Sequence, residues 1–365
     1  MAAAFGFGRF AYTPILPHMI AEGLRPSGAG FLAAMNFAGY LAGALLGALG
    51  VMQARARAWF LGSLFASGAS MLGMALTDAT AAQAVFRFVG GAGGAIVMVA
   101  GATLVFQPLL RASPSWFAVG PFCGVGLGIA TSSLLVAVLS ASGAGAPTMW
   151  IVTGLVATAA VLIVALFIGP QAAGPAGGSA VAVAGRIAWS RRLALLTLSY
   201  GLFGFGYVIT ATFIVVITRE TPALAPLEPF VWAIVGLAGA ASIPFWSAVA
   251  RRLGDGTTYV LGCLAEATGV ALSVLSPTPP AIVLAAILLG GTFMAITAIG
   301  LQIGRGLAVG GPQRIQAIMT AAFGVGQMAG PLVAGHLRET TGSFWASSLA
   351  AAAALVVGAV LASVP

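Results

Sequence analysis

The sequence predicts an all-α integral membrane protein of twelve transmembrane helices, built as two parallel repeats of six. Three observations carry that expectation: extreme apolarity, the spacing of the apolar runs, and glycine motifs that recur at a nearly constant separation. Of 365 residues, 60% are hydrophobic and 6% charged, whereas soluble domains average roughly 25% charged residues. A bilayer span needs about 20 mostly apolar residues, and lipid obliges the backbone to satisfy its own polar groups within the helix. At roughly 30 residues for a span and its loop, the chain accommodates about twelve.

The apolar runs fall at 2–20, 28–50, 57–77, 80–107, 115–140 and 148–169, then at 193–218, 229–250, 257–276, 279–304, 314–337 and 342–363. Between the two sets lies a Gly-, Pro- and Ala-rich stretch, 169–185, followed by Arg186, Arg191 and Arg192. Such a composition reads as a flexible linker. The expected organisation is an N-terminal six-helix bundle over 1–169, a cytoplasmic linker over 170–192 and a C-terminal six-helix bundle over 193–365. The first run is too rich in aromatics and prolines for a signal-peptide core and lacks the usual small-residue cleavage site, so it reads as a retained helix.

Cytoplasmic loops retain positive charge, which orients the chain. One set of alternate loops holds ten arginines: Arg55, Arg57, Arg111, Arg186, Arg191, Arg192, Arg251, Arg252, Arg305 and Arg314. The other holds three, Arg25, Arg219 and Arg338, together with Glu22, Asp78, Glu220, Glu228 and Glu339. Both termini are therefore expected in the cytoplasm. The net charge of +8, with every cation an arginine, follows from this topology, and no nucleic-acid partner is expected.

The repeat rests on three glycine motifs. Gly6-Phe7-Gly8 recurs as Gly204-Phe205-Gly206, 198 positions on, while Gly90-Gly91 recurs as Gly290-Gly291 and Gly124-Val125-Gly126 as Gly324-Val325-Gly326, both 200 positions on. Parallel six-helix repeats are the architecture in which two bundles rock about a central site. Glycines at Gly39, Gly43 and Gly47, and at Gly120, Gly124 and Gly128, recur every fourth residue, as close helix packing requires. Gly43, Gly91, Gly124 and Gly326 are the expected packing or gating positions, and Pro14 with Pro17 is expected to kink the first helix.

Two arginines remain after the loops are counted. Arg9 and Arg87 each lie about eight residues inside a span, roughly 12 Å deep from opposite faces. A charge there costs about 2.5–3.5 kcal/mol even on lenient scales, so it must face a cavity or a partner. In the repeat alignment Arg9 falls on Tyr207 and Arg87 on Ile287, so the scaffold itself needs neither charge. The planar guanidinium fork suits a carboxylate or phosphate; the competing reading ties each arginine to helix carbonyls. Tyr12 and Thr13 share a helical face with Arg9, Asn36 shares one with Tyr40 and Gly43, and Tyr207 and Gln327 are the polar candidates from the second half. Glu266, the only acid deep in a span, is the candidate for proton coupling, with a buried hydrogen-bonded carboxyl as the alternative. His336 near a span end is ambiguous. Cys123 and Cys263 lie in apolar runs and suggest neither a disulfide nor a metal site.

The opening Gly6-Phe7-Gly8-Arg9-Phe10-Ala11-Tyr12-Thr13-Pro14-Ile15-Leu16-Pro17 resembles the first helix of the YbfB/YjiJ-type family of major facilitator transporters. The run from Tyr200 to Phe213 resembles that family's second-half signature, and Arg87-Phe88-Val89-Gly90-Gly91 resembles the fourth-helix motif of the wider superfamily. The resemblance implies twelve helices, alternating access and a bacterial inner-membrane location. Gln53-Ala54-Arg55-Ala56-Arg57 lacks the aspartate usual after the second helix, and Arg251-Arg252-Leu253-Gly254-Asp255 matches that pattern only in part.

The expected function is secondary active or exchange transport of a small organic anion by a monomer, with no cofactor or metal. Without a lysine, the chain has no G-x-x-x-x-G-K-[ST] motif to bind a nucleotide. Export of amphipathic or drug-like compounds is the alternative. Two histidines, one deep acid and no H-E-x-x-H or G-x-S-x-G motif argue against an intramembrane enzyme.

Overall fold

Residues 1–49, 52, 55–102, 104, 120–168, 187–308 and 312–364 are described by the computed structural model. The expected linker is thus described only from residue 187, and Arg111, Arg186, Gln53 and Ala54 lie outside the described residues. Among the described residues twelve α-helices run in order: α1 (Tyr12–Ala21), α2 (Pro26–Ala48), α3 (Ala56–Met74), α4 (Thr80–Gly101), α5 (Gly120–Ala141), α6 (Ala146–Phe167), α7 (Arg191–Glu220), α8 (Glu228–Leu253), α9 (Asp255–Leu275), α10 (Pro279–Leu307), α11 (Pro312–Thr341) and α12 (Trp345–Ser363). A π-helical segment, Ala2–Phe7, precedes α1.

Sequence chemistry sets the ends of these helices. Pro26 opens α2, and prolines occupy the first turns of α6, α8 and α10, where the missing N–H is no loss. Turns after α5 and α11 run through Gly143 at φ 80° and Gly342 at φ 74°, a conformation that glycine adopts without penalty. Among the described residues ten helices are long and apolar enough to cross a membrane. The others are α1, shortened by the break before it, and α3, whose Arg57, Ser63, Ser67 and Ser70 dilute its hydropathy.

Packing repeats between the halves. In the first, α2 packs on α4, α4 on α3 and α3 on α6; in the second, α8 packs on α10, α10 on α9 and α9 on α12. The π-helical segment lies on α5 as α7 lies on α11, and the halves meet along α2 with α11 and α5 with α8. This is the parallel six-plus-six arrangement that the glycine motifs predict.

The register of the repeat differs from the glycine alignment. A methyl group at Gly91 would lie 1.9 Å from the Asn36 carbonyl oxygen, and its counterpart in this respect is Gly290, 2.1 Å from the Val235 carbonyl oxygen, whereas Gly291 has nothing within 4 Å. Gly91 therefore corresponds to Gly290, an offset of 199, which is also the separation of Gly143 and Gly342. Arg87 consequently corresponds to the buried Ala286, not to Ile287, which is 45% exposed. Adjacent glycines misled the alignment because only one of each pair touches the neighbouring backbone.

Candidate functional site

The site begins at a break in the first span. Gly8 N–H bonds to the Ala3 carbonyl and Phe10 N–H to the Phe5 carbonyl, each at 2.9 Å, so the chain is wound too loosely for an α-helix. It turns through residues 8–11 before α1 starts at Tyr12. Pro14 sits in the first turn of α1, where its missing N–H is harmless, and so it starts a helix instead of kinking one. The break comes before the expected prolines. It leaves carbonyls for other helices: Trp232 Nε1 of α8 donates to the Phe10 oxygen at 3.1 Å, and Ser132 Oγ of α5 donates to the Gly6 oxygen at 3.0 Å.

Arg9 lies in this turn and Arg87 in α4, 8% and 5% exposed. The Arg9 guanidinium carbon is 4.7 Å from the ring centroids of both Phe37 and Tyr40 and 5.2 Å from that of Phe10. That of Arg87 is 4.4 Å from the Tyr12 ring. Ring faces stabilise a buried cation by up to about 2 kcal/mol but leave its N–H groups unused. Among the described residues neither guanidinium forms an ion pair or a hydrogen bond, and the Nε of each is buried without a partner.

The seven expected binding residues line two adjoining cavities. A narrow one of about 20 Å³ is walled by Arg9, Tyr12, Asn36, Arg87 and Tyr207 among others. A chamber of about 120 Å³ is walled by Arg9, Tyr40, Tyr207, Phe293, Phe323 and Gln327 among others. Arg9 and Tyr207 line both, one from each half of the molecule.

Hydrogen bonds divide these residues into free and committed groups. Tyr12 donates its hydroxyl to the Ala29 carbonyl at 2.8 Å, and Thr13 donates to the Ala211 carbonyl at 2.9 Å. Tyr12 thus offers Arg87 a ring face, while its hydroxyl and that of Thr13 join helices. Asn36 Nδ2 donates to the carbonyl of Arg87 at 2.9 Å, fixing the α4 backbone there, and its Oδ1 has no partner. Gln327 Nε2 donates to the Tyr207 hydroxyl, leaving Oε1 unpartnered.

Sequence reasoning found Tyr40 and Tyr207 of the aromatic wall and missed its phenylalanines. Phe293 and Phe323 lie nearly parallel to Tyr207, with centroids 5.8 and 5.7 Å away, and Phe10 meets Phe293 edge-on at 6.0 Å. The one available signal was Phe10 beside Arg9. Phe293 and Phe323 stand in apolar runs where a cavity-facing ring has the same sequence signature as a core ring.

Glu266 is fully buried between α9 and α10, accepting a hydrogen bond from Thr292 Oγ1, and lines none of the described cavities. The candidate for proton coupling thus lies outside the two central cavities, with Oε2 bonded to Thr292 and Oε1 without a partner among the described residues. The exposed His336 is outside them as well. Gly43 and Gly326 are close-packing positions, where a methyl would come within 2.5 Å of the Ala92 oxygen and 2.1 Å of the Gly201 oxygen. Gly124 is not: its nearest neighbour would be 3.9 Å away, while Gly126 would meet Ala240 N at 2.4 Å. The described residues contain no metal-binding cluster of His, Cys, Asp or Glu, and Cys123 and Cys263 are free thiols.

The arginine-poor face is fastened between the halves. Arg25 pairs with Glu339 at 3.8 Å, and Ser27 N–H donates to the same carboxylate at 3.2 Å. Below them a methyl at Gly30 would lie 2.1 Å from the Pro331 oxygen, and one at Gly335 would lie 2.4 Å from the Pro26 oxygen. The two cavities therefore lie beneath a seam of direct backbone contact. A further hollow of about 510 Å³, walled by Glu22, Arg25, Asp78, Gln83 and Trp150 among others, opens within the first half on this face.

Comparison with known proteins agrees with this architecture. The nucleoside transporter NupG, in a mutant form, superposes with a TM-score of 0.79 at 16% identity, covering 98% of this chain and 97% of its own. A bacterial homolog of the human lysosomal transporter Spinster, inward-facing and occupied, gives 0.71 at 13% identity, over 99% and 93% of the two chains. The human organic anion transporter MFSD10 (TETRAN) gives 0.62 at 18% identity, over 99% and 97%. Identities this low speak for fold alone. No curated protein sequence matches the chain. The family model described as the uncharacterised MFS-type transporter YbfB matches residues 1–363, and the chain accordingly belongs to this family of multi-pass major facilitator transporters, which are not enzymes.

Proposed function

We propose that this transporter carries a small organic anion, gripped by Arg9 with Arg87 behind it. One observation carries the reading: two guanidiniums buried in the membrane line one cavity, and neither has an ion-pair or hydrogen-bond partner among the described residues. Ring contacts offset part of the desolvation, but the hydrogen-bond donors stay unsatisfied until an acceptor arrives. Charge-assisted hydrogen bonds to a carboxylate contribute about 1.5–3 kcal/mol.

In this reading the N-terminal bundle over 1–169 and the C-terminal bundle over 193–365, joined by the 170–192 linker, rock against each other in a monomer. The arginine-rich loops and both termini face the cytoplasm of a bacterial inner membrane. The close backbone approach at Gly30 and Gly335 supports a conformation in which α2 and α11 meet on the outer side of the site. Gradient-driven transport or exchange drives the cycle. Because Glu266 lies outside the cavities, the reading gives it no part in coupling.

Export of amphipathic compounds is the second reading, favoured by the apolar chamber, and charge preference separates the two. The test is thermal unfolding of the detergent-purified protein with carboxylates, phosphates, neutral solutes and cations, for the native chain and Arg9→Gln. A ligand at 100 times its Kd adds about 2.7 kcal/mol. Stabilisation by anions that vanishes in Arg9→Gln is the expected result. Stabilisation by lipophilic cations or neutral aromatics alone, unchanged in the variant, would transfer the assignment to the exporter.

A further inference from the structure

Rings from both halves wall the central chamber, Phe5, Phe10 and Tyr40 from the first and Tyr207, Phe293 and Phe323 from the second. The first half contributes Arg9, the sole charged side chain among its walls. The second contributes flat apolar surface, with Phe293 and Phe323 tilted by only 4° and 10° from the plane of Tyr207. Opposite them Phe10 meets Phe293 edge-on. Its volume of about 120 Å³ is close to the engineered apolar cavity of ~150 Å³ that accepts benzene. Within this chamber the second carboxylate of an aliphatic diacid would find no second cation among the walls, which costs far more than burying a ring does.

We infer that the substrate is a planar monocarboxylate of single-ring size, aromatic or heteroaromatic. This rests on the anion reading above and adds to it the body of the molecule. The carboxylate takes the unused donors of Arg9, and the ring lies in the apolar slot, offset or edge-on to Phe293 and Phe323 as quadrupoles favour. The unpartnered Oε1 of Gln327 is an acceptor for a hydroxyl or N–H group on that ring.

The experiment measures binding by thermal shift and intrinsic tryptophan fluorescence, with benzoate, acetate, succinate, benzamide and benzylamine as probes. Benzoate is expected to bind at least about tenfold more tightly than acetate or succinate, the upper range of one added aromatic contact. Benzamide and benzylamine are expected to bind no better than acetate. Succinate binding as tightly as benzoate would overturn the ring inference and leave the anion reading standing. Benzamide matching benzoate would overturn both, and so would silence from every probe. Phe293→Leu keeps the apolar volume while removing the ring plane, and Phe323→Leu does so from the neighbouring helix. Each is expected to weaken benzoate about fivefold while leaving acetate unchanged. Equal losses for both ligands in both variants would show that the rings merely hold the fold.

Discussion

The two halves share a scaffold and have divided the chemistry between them. With the repeat in its packing register of 199 residues, Arg87 of α4 stands where α10 has Ala286, Ser67 of α3 where α9 has Glu266, and Gly93 where α10 has Thr292. A methyl at Gly93 would lie 3.5 Å from Ser67 Cβ, and Thr292 bonds to Glu266 at the corresponding place, which makes the correspondence geometric as well as numerical. The first half places positive charge in the cavity wall. The second places its buried acid between two helices, lining none of the described cavities, and gives the wall the near-parallel rings of Tyr207, Phe293 and Phe323. A helix scaffold that tolerates arginine, alanine, serine and glutamate at matched sites does not itself require any of them. The charge in the first half is therefore no demand of the scaffold, as the proposed anion reading requires.

The most damaging change to this comparison is removal of the charge that both cavities share. Arg9→Gln is expected to weaken anion binding about 10- to 100-fold, equivalent to losing charge-assisted hydrogen bonds of about 1.5–3 kcal/mol. Arg87→Gln is expected to cost less, because Arg87 lines only the narrow cavity. Substrate-dependent unfolding temperatures measure both, and equal affinity in native and Arg9→Gln protein would end the anion assignment. Next in size comes the register. Gly91→Ala and Gly290→Ala force a methyl onto a carbonyl oxygen and are each expected to destabilise the fold by about 1–3 kcal/mol, the usual range for overpacking. Gly291→Ala meets open space and is expected to be neutral. Thermal unfolding of the three variants decides the matter: equal costs at Gly91 and Gly291 would restore the offset of 200.

How much of this was legible in the sequence follows from what each signal encodes. Helix number and the six-plus-six division are written in apolar run length, which the bilayer thickness fixes. Arg9 and Arg87 stood out because a charge within an apolar run is costly wherever it points. Tyr12 and Asn36 were recognisable as polar groups near the arginines. Their partners, the carbonyls of Ala29 and Arg87, were not, since any helix offers carbonyls and only tertiary packing selects one. The π-helical start before Arg9 was hidden for a similar reason: prolines mark where a helix cannot continue, whereas loose winding depends on Ser132 and Trp232 taking the released carbonyls. Phe293 and Phe323 were invisible because lipid, core and cavity all favour phenylalanine.

The smallest expected effect tests the other side of the comparison. If the second half keeps its acid for packing, Glu266→Gln should be nearly silent. The amide oxygen still accepts the Thr292 hydroxyl, and the amide is no larger than the carboxyl. Hydrogen bonds of this kind contribute about 0.5–1.5 kcal/mol, and the substitution preserves the one shown here. Transport by the variant in proteoliposomes is expected to stay within about twofold of native at mildly acidic and at neutral pH alike, since a proton-transfer group would be worth ~100-fold or more. Glu266→Leu removes the acceptor and leaves Thr292 with its own helix carbonyl, the Leu288 oxygen at 2.7 Å, so it too is expected to fold. A pH-dependent loss of transport confined to these two variants would mean that the second half carries protons after all, and that the division of labour between the halves is one of opposite charges.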